Sequence, residues 1–271
     1  MSNPFSYAAK RVVVTGAATG VGAALVSLLS ELGAAHITVL DVKEPSGPVD
    51  TFLRTDLGDP ASVDAAIAAI AGPVDALFNN AGVAATQAPN VVMAVNYLAL
   101  RRLSSGLLDR IPTGGAIANT ASIAGGQWPA RQGPITELLG VEGWAESLAW
   151  LDAHPELMAD PYSFSKECVQ VHTMQASRAT MAKGVRTNSV CPAPIDTPLL
   201  VDFRATMTDK LIDWTIEQAN GRPASPADVA MVLAFLGSDA AAYVNGVNLA
   251  VDAGFTAAMT TGQVDFGALQ A

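Results

Sequence analysis

Short apolar runs bounded by glycine or polar turns alternate along the whole chain with longer stretches whose apolar positions recur every three to four residues. Runs of the first kind suit strands buried on both faces of a sheet, and stretches of the second suit amphipathic helices packed on it. The pattern predicts strands near 11–15, 36–41, 49–53, 74–79, 114–120, 185–191 and 246–251. Helices are expected near 20–32, 60–71, 90–109, 161–183, 204–219 and 226–237. Asp59-Pro60 and Ser225-Pro226 mark two helix starts, each a capping side chain followed by proline at the first helical position. Such alternation gives an α/β fold, a Rossmann-type doubly wound parallel sheet of about seven strands. No tandem repeat, charge run or low-complexity linker interrupts it, so residues 1–271 read as a single domain. The tail from Thr256 is small and polar apart from Met259 and Phe266, and is expected to be partly mobile.

Composition narrows the functional classes. Hydrophobic residues make up 50% and charged residues 15%, enough apolar material to cover both faces of a sheet. A formal net charge of −10 argues against nucleic acid or anionic membrane as partner, since both require clustered Lys and Arg. No stretch reaches the roughly 18 apolar residues that span a bilayer, and the run after Lys10-Arg11 stops at Thr15-Gly16, too early for a signal peptide. Cys168 and Cys191 lack metal-ligand spacing, and the histidines at 36, 154 and 172 are scattered, so neither a metal site nor a disulfide framework is indicated. A reducing cytoplasm is the expected compartment.

Two local patterns carry chemistry. Thr15-Gly16-Ala-Ala-Thr-Gly20-Val-Gly22 follows the apolar run Val12-Val13-Val14 and opens a helical stretch, the strand–turn–helix setting of a dinucleotide site. Gly16 permits the tight turn, Gly20 lets backbone approach a pyrophosphate, and Gly22 allows close helix packing. Asp41 ends the next strand, 19 residues past Gly22, near the distance expected of an acid that binds the adenosine ribose. It would repel a 2′-phosphate, so NAD is the expected cofactor; the competing reading is a polar strand end. The second pattern is Tyr162 and Lys166, which a spacing of four puts on one helix face. A phenol with an ordinary pKa of about 10 needs a neighbouring cation to serve as a base near neutrality.

With these motifs the chain resembles the classical short-chain dehydrogenase/reductase family from Val12 to about Phe266. The resemblance implies a cofactor turn in which Thr19 and Val21 accompany the three glycines. It also implies an adenine-contacting pair, Asp56-Leu57, and a central strand motif, Asp75 to Gly82, that places Asn80, Ala81 and Gly82 beside the cofactor. Asn96 and Ser122 match the family's active-site Asn and Ser and complete a tetrad with Tyr162 and Lys166. Taken alone, Ser122 could merely end a strand and Asn96 could be a polar residue in a helix. Pro192, Ile195 and Thr197 are expected near the nicotinamide, although Ala193 stands where the family usually has Gly, which would strain the turn if φ there were positive.

The chain departs from the family in length as well. Ser122 and Tyr162 are 40 residues apart, and the excess, 125–160, holds Trp128, Trp144 and Trp150. Apolar positions over 136–151 recur at helical intervals, so a helix is expected there that buries its face on the substrate pocket, on a partner subunit or on the protein's own core. The insert resembles the branch of bacterial 3α-hydroxysteroid dehydrogenase/carbonyl reductases. Gln127-Trp-Pro-Ala-Arg131 with Tyr162 to Glu167 also resembles coniferyl-alcohol dehydrogenases, and the C-terminal stretch 243–259 is closer to the steroid group. The expected activity is hydride transfer between NAD(H) and a small apolar alcohol or ketone, steroid-like, cyclic or aromatic. In that reaction Tyr162 acts as acid/base, Ser122 binds the substrate oxygen, Lys166 assists Tyr162 and binds the ribose, and Asn96 holds a water leading to Lys166. Residues 198–219, with Phe203, Met207, Leu211 and Trp214, read as an apolar lid. Family members often form tetramers through the helices that begin near Asn90 and Pro161, so the insert favours a homodimer over a tetramer. Two rivals are a regulator that binds NAD without catalysis, which has no use for the tetrad, and an epimerase, which usually needs a larger C-terminal domain.

Overall fold

In the computed structural model, which describes residues 3–264 and Gly267, seven parallel strands form one sheet in the order β3-β2-β1-β4-β5-β6-β7. The strands are β1 (Arg11–Thr15), β2 (His36–Asp41), β3 (Thr51–Arg54), β4 (Ala76–Asn79), β5 (Ala116–Thr120), β6 (Arg186–Pro192) and β7 (Asn248–Val251). The expected strands match these to within two residues at each end. Alternation along β1 divides the core. Val12 and Val14 point to a cluster with Leu25, Leu29, Leu233 and Leu236, while Val13 joins Leu77, Leu103 and Leu107 on the opposite face. The strand order reverses between β1 and β4, where Val13 pairs with Leu77, and this reversal opens a crevice at the carboxyl ends of the strands.

The helices are α1 (Gly20–Glu31), α2 (Pro60–Ala69), α3 (Pro89–Met93), α4 (Ala99–Leu107), α5 (Gln132–Gly140), α6 (Trp144–Asp152), α7 (Pro161–Met181), α8 (Leu199–Met207), α9 (Asp209–Ala219), α10 (Pro226–Gly237) and α11 (Phe255–Thr260). Both proline-marked starts are capped. The Asp59 carboxylate accepts from the Ala61 amide at 3.0 Å, and Ser225 and Asp228 form a reciprocal capping box.

Three expected helices are interrupted. A π-turn, Ala94–Leu98, separates α3 from α4 within the expected 90–109 helix and contains Asn96. The expected 136–151 helix is two helices, α5 and α6, parted at 141–143, where Gly143 takes φ 88°. The expected 204–219 helix breaks at Thr208, whose φ of 69° no right-handed helix accommodates, and α8 begins earlier, at Leu199. Residues Phe255–Thr260 of the tail are helical, capped by the Asp252 carboxylate, which accepts from the Gly254 and Thr256 amides; Phe266 lies outside the described residues. Among the described residues no helix is long and apolar enough to cross a membrane, and no group of three His, Cys, Asp or Glu side chains could hold a metal.

The insert packs on its own chain. Ile135 and Leu138 of α5 and Leu151 of α6 are buried against Leu100, Phe164 and Cys168, on the outer side of α4 and α7. Arg101 explains the break at 141–143. Its guanidinium donates to the Leu138 and Val141 carbonyls and to Ser147 Oγ at 3.4, 3.1 and 2.8 Å, which satisfies carbonyls a continuous helix would have bonded itself. Neither α5 nor α6 contributes a residue to the cleft at the carboxyl ends of the strands.

Candidate active site

A cleft of about 1160 Å³ opens at the carboxyl ends of the strands. Its walls include Gly16, Thr19, Gly20, Val21, Asp41, Asp56, Leu57, Asn80, Ala81 and Gly82, together with Ser122, Tyr162, Lys166, Pro192, Ile195 and Thr197. Of the residues singled out from sequence, only Gly22 and Asn96 lie behind this lining. Gly22 cannot carry a side chain, since a Cβ there would come within 2.1 Å of the Gly16 carbonyl. Gly16 has φ 69° and abuts Ala81, where a Cβ would meet the Ala81 Cα at 2.6 Å. The turn is therefore pressed onto the end of β4. Thr15 Oγ1 holds it there by accepting from the Asn80 and Ala81 amides, both at 3.0 Å.

The donor set of this half suits a dinucleotide. No side chain caps α1, so its first amides, at Thr19, Gly20 and Val21, are free to meet phosphate at the positive end of the helix. Gly20, at φ 59°, leaves a gap that a Cβ would narrow to 3.1 Å from Thr197 Cγ2. Asp41 closes the β2 end, its carboxylate accepting from the Ala18 and Lys43 amides at 2.9 and 3.0 Å. Ala193 is free of the strain considered for it. It is not in the left-handed region, and its amide donates to Val251 at 3.2 Å, extending the pairing of β6 with β7.

At the other end of the cleft α7, capped by Asp160 through the Ser163 amide at 3.1 Å, brings Tyr162 and Lys166 to one buried face. Burial pushes the Tyr162 phenol up to about 12, and the neighbouring Ser122 hydroxyl opposes that rise. The same burial pushes the Lys166 ammonium down to about 8. Lys166 Nζ donates to the Thr120 carbonyl at 2.8 Å and lies over the Tyr162 ring, 5.7 Å from its centroid.

Ser122 is fixed from both sides: its Oγ accepts from the Ala124 amide at 3.1 Å, and its carbonyl accepts from Gln170 Nε2 at 2.8 Å. The Asn96 amide spans the β4 loop and α7, accepting from the Val83 amide at 2.8 Å and donating to the Val83 carbonyl and to Ser165 Oγ. Its side chain is thus occupied in holding the loop. Gly82 lies in the angle it makes with Lys166, where a Cβ would stand 3.3 Å from Asn96 Oδ1 and 3.5 Å from Lys166 Nζ.

The lid meets this centre through Phe203, whose ring packs edge-on against Tyr162 at 4.8 Å. Met207 and Leu211 also line the cleft, whereas Trp214 turns away to Phe255 at 5.7 Å. Of the insert, Gly126, Gln127 and Asp160 line the cleft, and the three tryptophans do not. Sequence reasoning gave no role to Arg131 and Glu167. Arg131 Nη2 donates to the fully buried Glu167 carboxylate at 2.6 Å and sits over the Phe164 ring, tying the segment after Ser122 to the helix bearing Tyr162. An acid directly after Lys166 in a buried helix was the available signal.

Two family models match the chain: one described as short chain dehydrogenase over residues 10–134, and one described as enoyl-(acyl carrier protein) reductase over residues 151–256. The chain is 38% identical to the coniferyl-alcohol dehydrogenase of Pseudomonas sp. (strain HR199 / DSM 7063), covering 90% of this chain and 96% of that protein. It is 36% identical to the cis-4-hydroxycyclohexanecarboxylate dehydrogenase of Sinomonas cyclohexanicum, covering 93% and 98%. Among solved structures, the 3-alpha-hydroxysteroid dehydrogenase of Pseudomonas sp. B-0831 complexed with NADH superposes with a TM-score of 0.77 at 29% identity, covering 94% of this chain and all of that one.

Proposed function

The chain belongs to the short-chain dehydrogenase/reductase family, and from that membership we propose that it interconverts an apolar cyclic or aromatic alcohol and its carbonyl compound, with NAD(H) as cofactor. That it is an oxidoreductase acting on alcohols follows from the family; the cofactor and substrate class are our reading. One observation carries it: a phenol, a hydroxyl and an ammonium line the floor of one cleft whose other half suits a dinucleotide.

The Gly16–Gly22 turn would hold the pyrophosphate, Asp41 the ribose, Asp56 and Leu57 the adenine, and Asn80 to Gly82 with Pro192, Ile195 and Thr197 the nicotinamide side. Bound there, the nicotinamide supplies the hydride acceptor for oxidation and the donor for reduction. The Ser122 hydroxyl serves either direction, since it can accept from an alcohol or donate to a carbonyl. Tyr162, beside it, takes the alcohol's proton in oxidation and returns it in reduction. Lys166 spends one N–H on Thr120 and keeps two, enough to bind a ribose hydroxyl and to feed protons from the Asn96 side. The Phe203 ring keeps bulk water from the phenol, which strengthens each of these interactions.

Coniferyl-type aromatic allylic alcohols form the second reading, supported by the 38% identity and by the Gln127–Arg131 segment, whose Arg131 anchors to Glu167. A reducing cytoplasm suits two buried free thiols. Mixing the purified chain with NAD and a panel of cyclic, steroidal and aromatic allylic alcohols tests the proposal. NADH should appear with at least one class, and its absence across the panel would remove the reading.

A further inference from the structure

Beside Tyr162 the cleft is walled by apolar side chains, among them Val91, Phe203, Met207, Leu211, Phe255 and Met259. Into this lining α8 brings a carboxylate, that of Asp202, the residue before the ring that packs on Tyr162. The Asp202 carboxylate has no hydrogen-bond or ion-pair partner among the described residues. Arg204, the nearest cation in sequence, is committed to Asp209 and Asp213 of α9 at 2.8 and 2.7 Å. An acid in the first turn of a helix suits the helix dipole. It would do so equally from the solvent side, so the dipole does not account for an acid that lines the cleft. Asp160 adds a second carboxylate at this end, and one of its oxygens is occupied by the Ser163 amide.

Of the described residues lining the cleft, only Lys43 and Lys166 are basic. Lys43 follows the end of β2, on the other half of the sheet, and Lys166 is held at the floor by Thr120. The substrate end therefore carries negative charge and neutral polar groups such as Ser163 and Thr256, and among the described residues its walls offer no cation to receive an anion.

We propose that Asp202 selects the substrate, favouring a neutral alcohol that carries a hydrogen-bond donor away from the reacting carbon and rejecting one that carries a carboxylate there. The inference rests on the alcohol-dehydrogenase reading of the cleft. A substrate carboxylate facing Asp202 would meet like charge where apolar walls weaken screening, and two carboxylates share no proton donor. A hydroxyl or amide N–H in the same place would donate to it. Such a preference would set this chain apart from the Sinomonas protein, which is named for a hydroxycyclohexanecarboxylate.

Three probes of one shape decide the matter: cis-4-hydroxycyclohexanecarboxamide, the corresponding carboxylate and its methyl ester. They share the reacting carbinol and differ in charge and in having a donor. Initial rates with NAD should give a kcat/KM for the carboxamide about tenfold or more above that for the carboxylate, with the ester between them. Asp202→Asn should raise the carboxylate value and lower the carboxamide value, closing most of the gap from both sides. If none of the three turns over although other alcohols do, the same ratios are read from their inhibition constants against the best alcohol.

A wild-type enzyme that handles carboxylate and carboxamide alike overturns the proposal and leaves the alcohol-dehydrogenase reading in place, as does a gap unchanged in Asp202→Asn. A misfolded variant would lose all three probes in proportion, in which case Asp202→Ser and the wild-type ratio decide. No turnover with any alcohol overturns the reading of the site and this inference with it.

Discussion

At the residue scale the chemistry turns on where protons rest. With the phenol pushed up to about 12 by burial, Tyr162 holds its proton at neutral pH and must lose it before it can take the substrate's. Alcohol oxidation should therefore accelerate from pH 7 to pH 10, whereas ketone reduction, which draws on the held proton, should not; parallel initial-rate profiles in the two directions check this. Tyr162→Phe should lower turnover by on the order of 10²–10⁴-fold with NADH binding, followed by fluorescence titration, nearly unchanged. Retained turnover would take Tyr162 out of the mechanism. We propose that Asp41 governs a separate choice, that of NAD over NADP. Its oxygens already anchor the glycine turn through Ala18, so Asp41→Ala should both narrow the preference for NAD over NADP and weaken binding of either cofactor. Better catalytic efficiency with NADP in the unaltered chain would refute the assignment. Glycine turn, Asp41 and the Tyr-x-x-x-Lys pair were legible in the sequence because spacing alone puts them on one turn or one helix face. The Thr120 carbonyl that takes Lys166 was not, since β5 and α7 meet only in the folded chain.

At the scale of elements, α7 is held to the segment after Ser122 by a buried charge pair. Glu167 is fully buried and its Oε2 has no partner among the described residues, while burial raises its pKa and Arg131 opposes that rise. Arg131→Met would leave the carboxylate without its cation and should cost about 2–4 kcal/mol of stability near neutral pH, somewhat reduced because Arg131 is partly exposed. The sign with pH follows from linkage. A carboxyl whose folded pKa is raised binds protons more tightly when folded, so its contribution is retained below the unfolded value of about 4.3 and lost as pH rises. Removing the cation widens that window, so the difference in Tm between wild type and variant should be larger at pH 8 than at pH 5. An equal difference at both pH values would mean that the pair acts through packing alone. The interrupted helices belong to this scale too. Periodicity over 136–151 and 204–219 is continuous, but Arg101 captures the carbonyls at 138 and 141, and Thr208 turns left-handed with its Oγ1 capping α9 at Leu211. Neither a distant guanidinium nor a cap in the left-handed region is visible in a hydrophobic period.

For the whole molecule, the insert decides which faces stay open to another copy. α5 and α6 pack on α4 and α7, with Ile135, Leu138 and Leu151 buried there, and we propose that this obstructs the surface through which family members often build tetramers. We expect a dimer. Light scattering at micromolar concentration should give twice the chain mass, and a stable tetramer would overturn the obstruction argument. Deleting 133–153 should expose that apolar side and promote larger assemblies, since apolar surface left wet costs about 25 cal/mol per Å². What the sequence determined by itself was whatever local repetition and spacing encode: the strand positions, the parallel α/β class, the glycine turn after β1 and the shared helix face of Tyr162 and Lys166. Parallel strands must be covered on both faces, and a period of two or 3.6 announces each covering element without reference to any other. Only the tertiary structure decided that the insert seals α4 and α7 instead of roofing the pocket, that Phe203 covers the tyrosine, and that Asp202 lines the cleft without a cation. Each of those facts is a meeting of side chains from elements far apart in sequence, fixed by packing and by the need to satisfy buried polar groups, and no spacing along the chain records it.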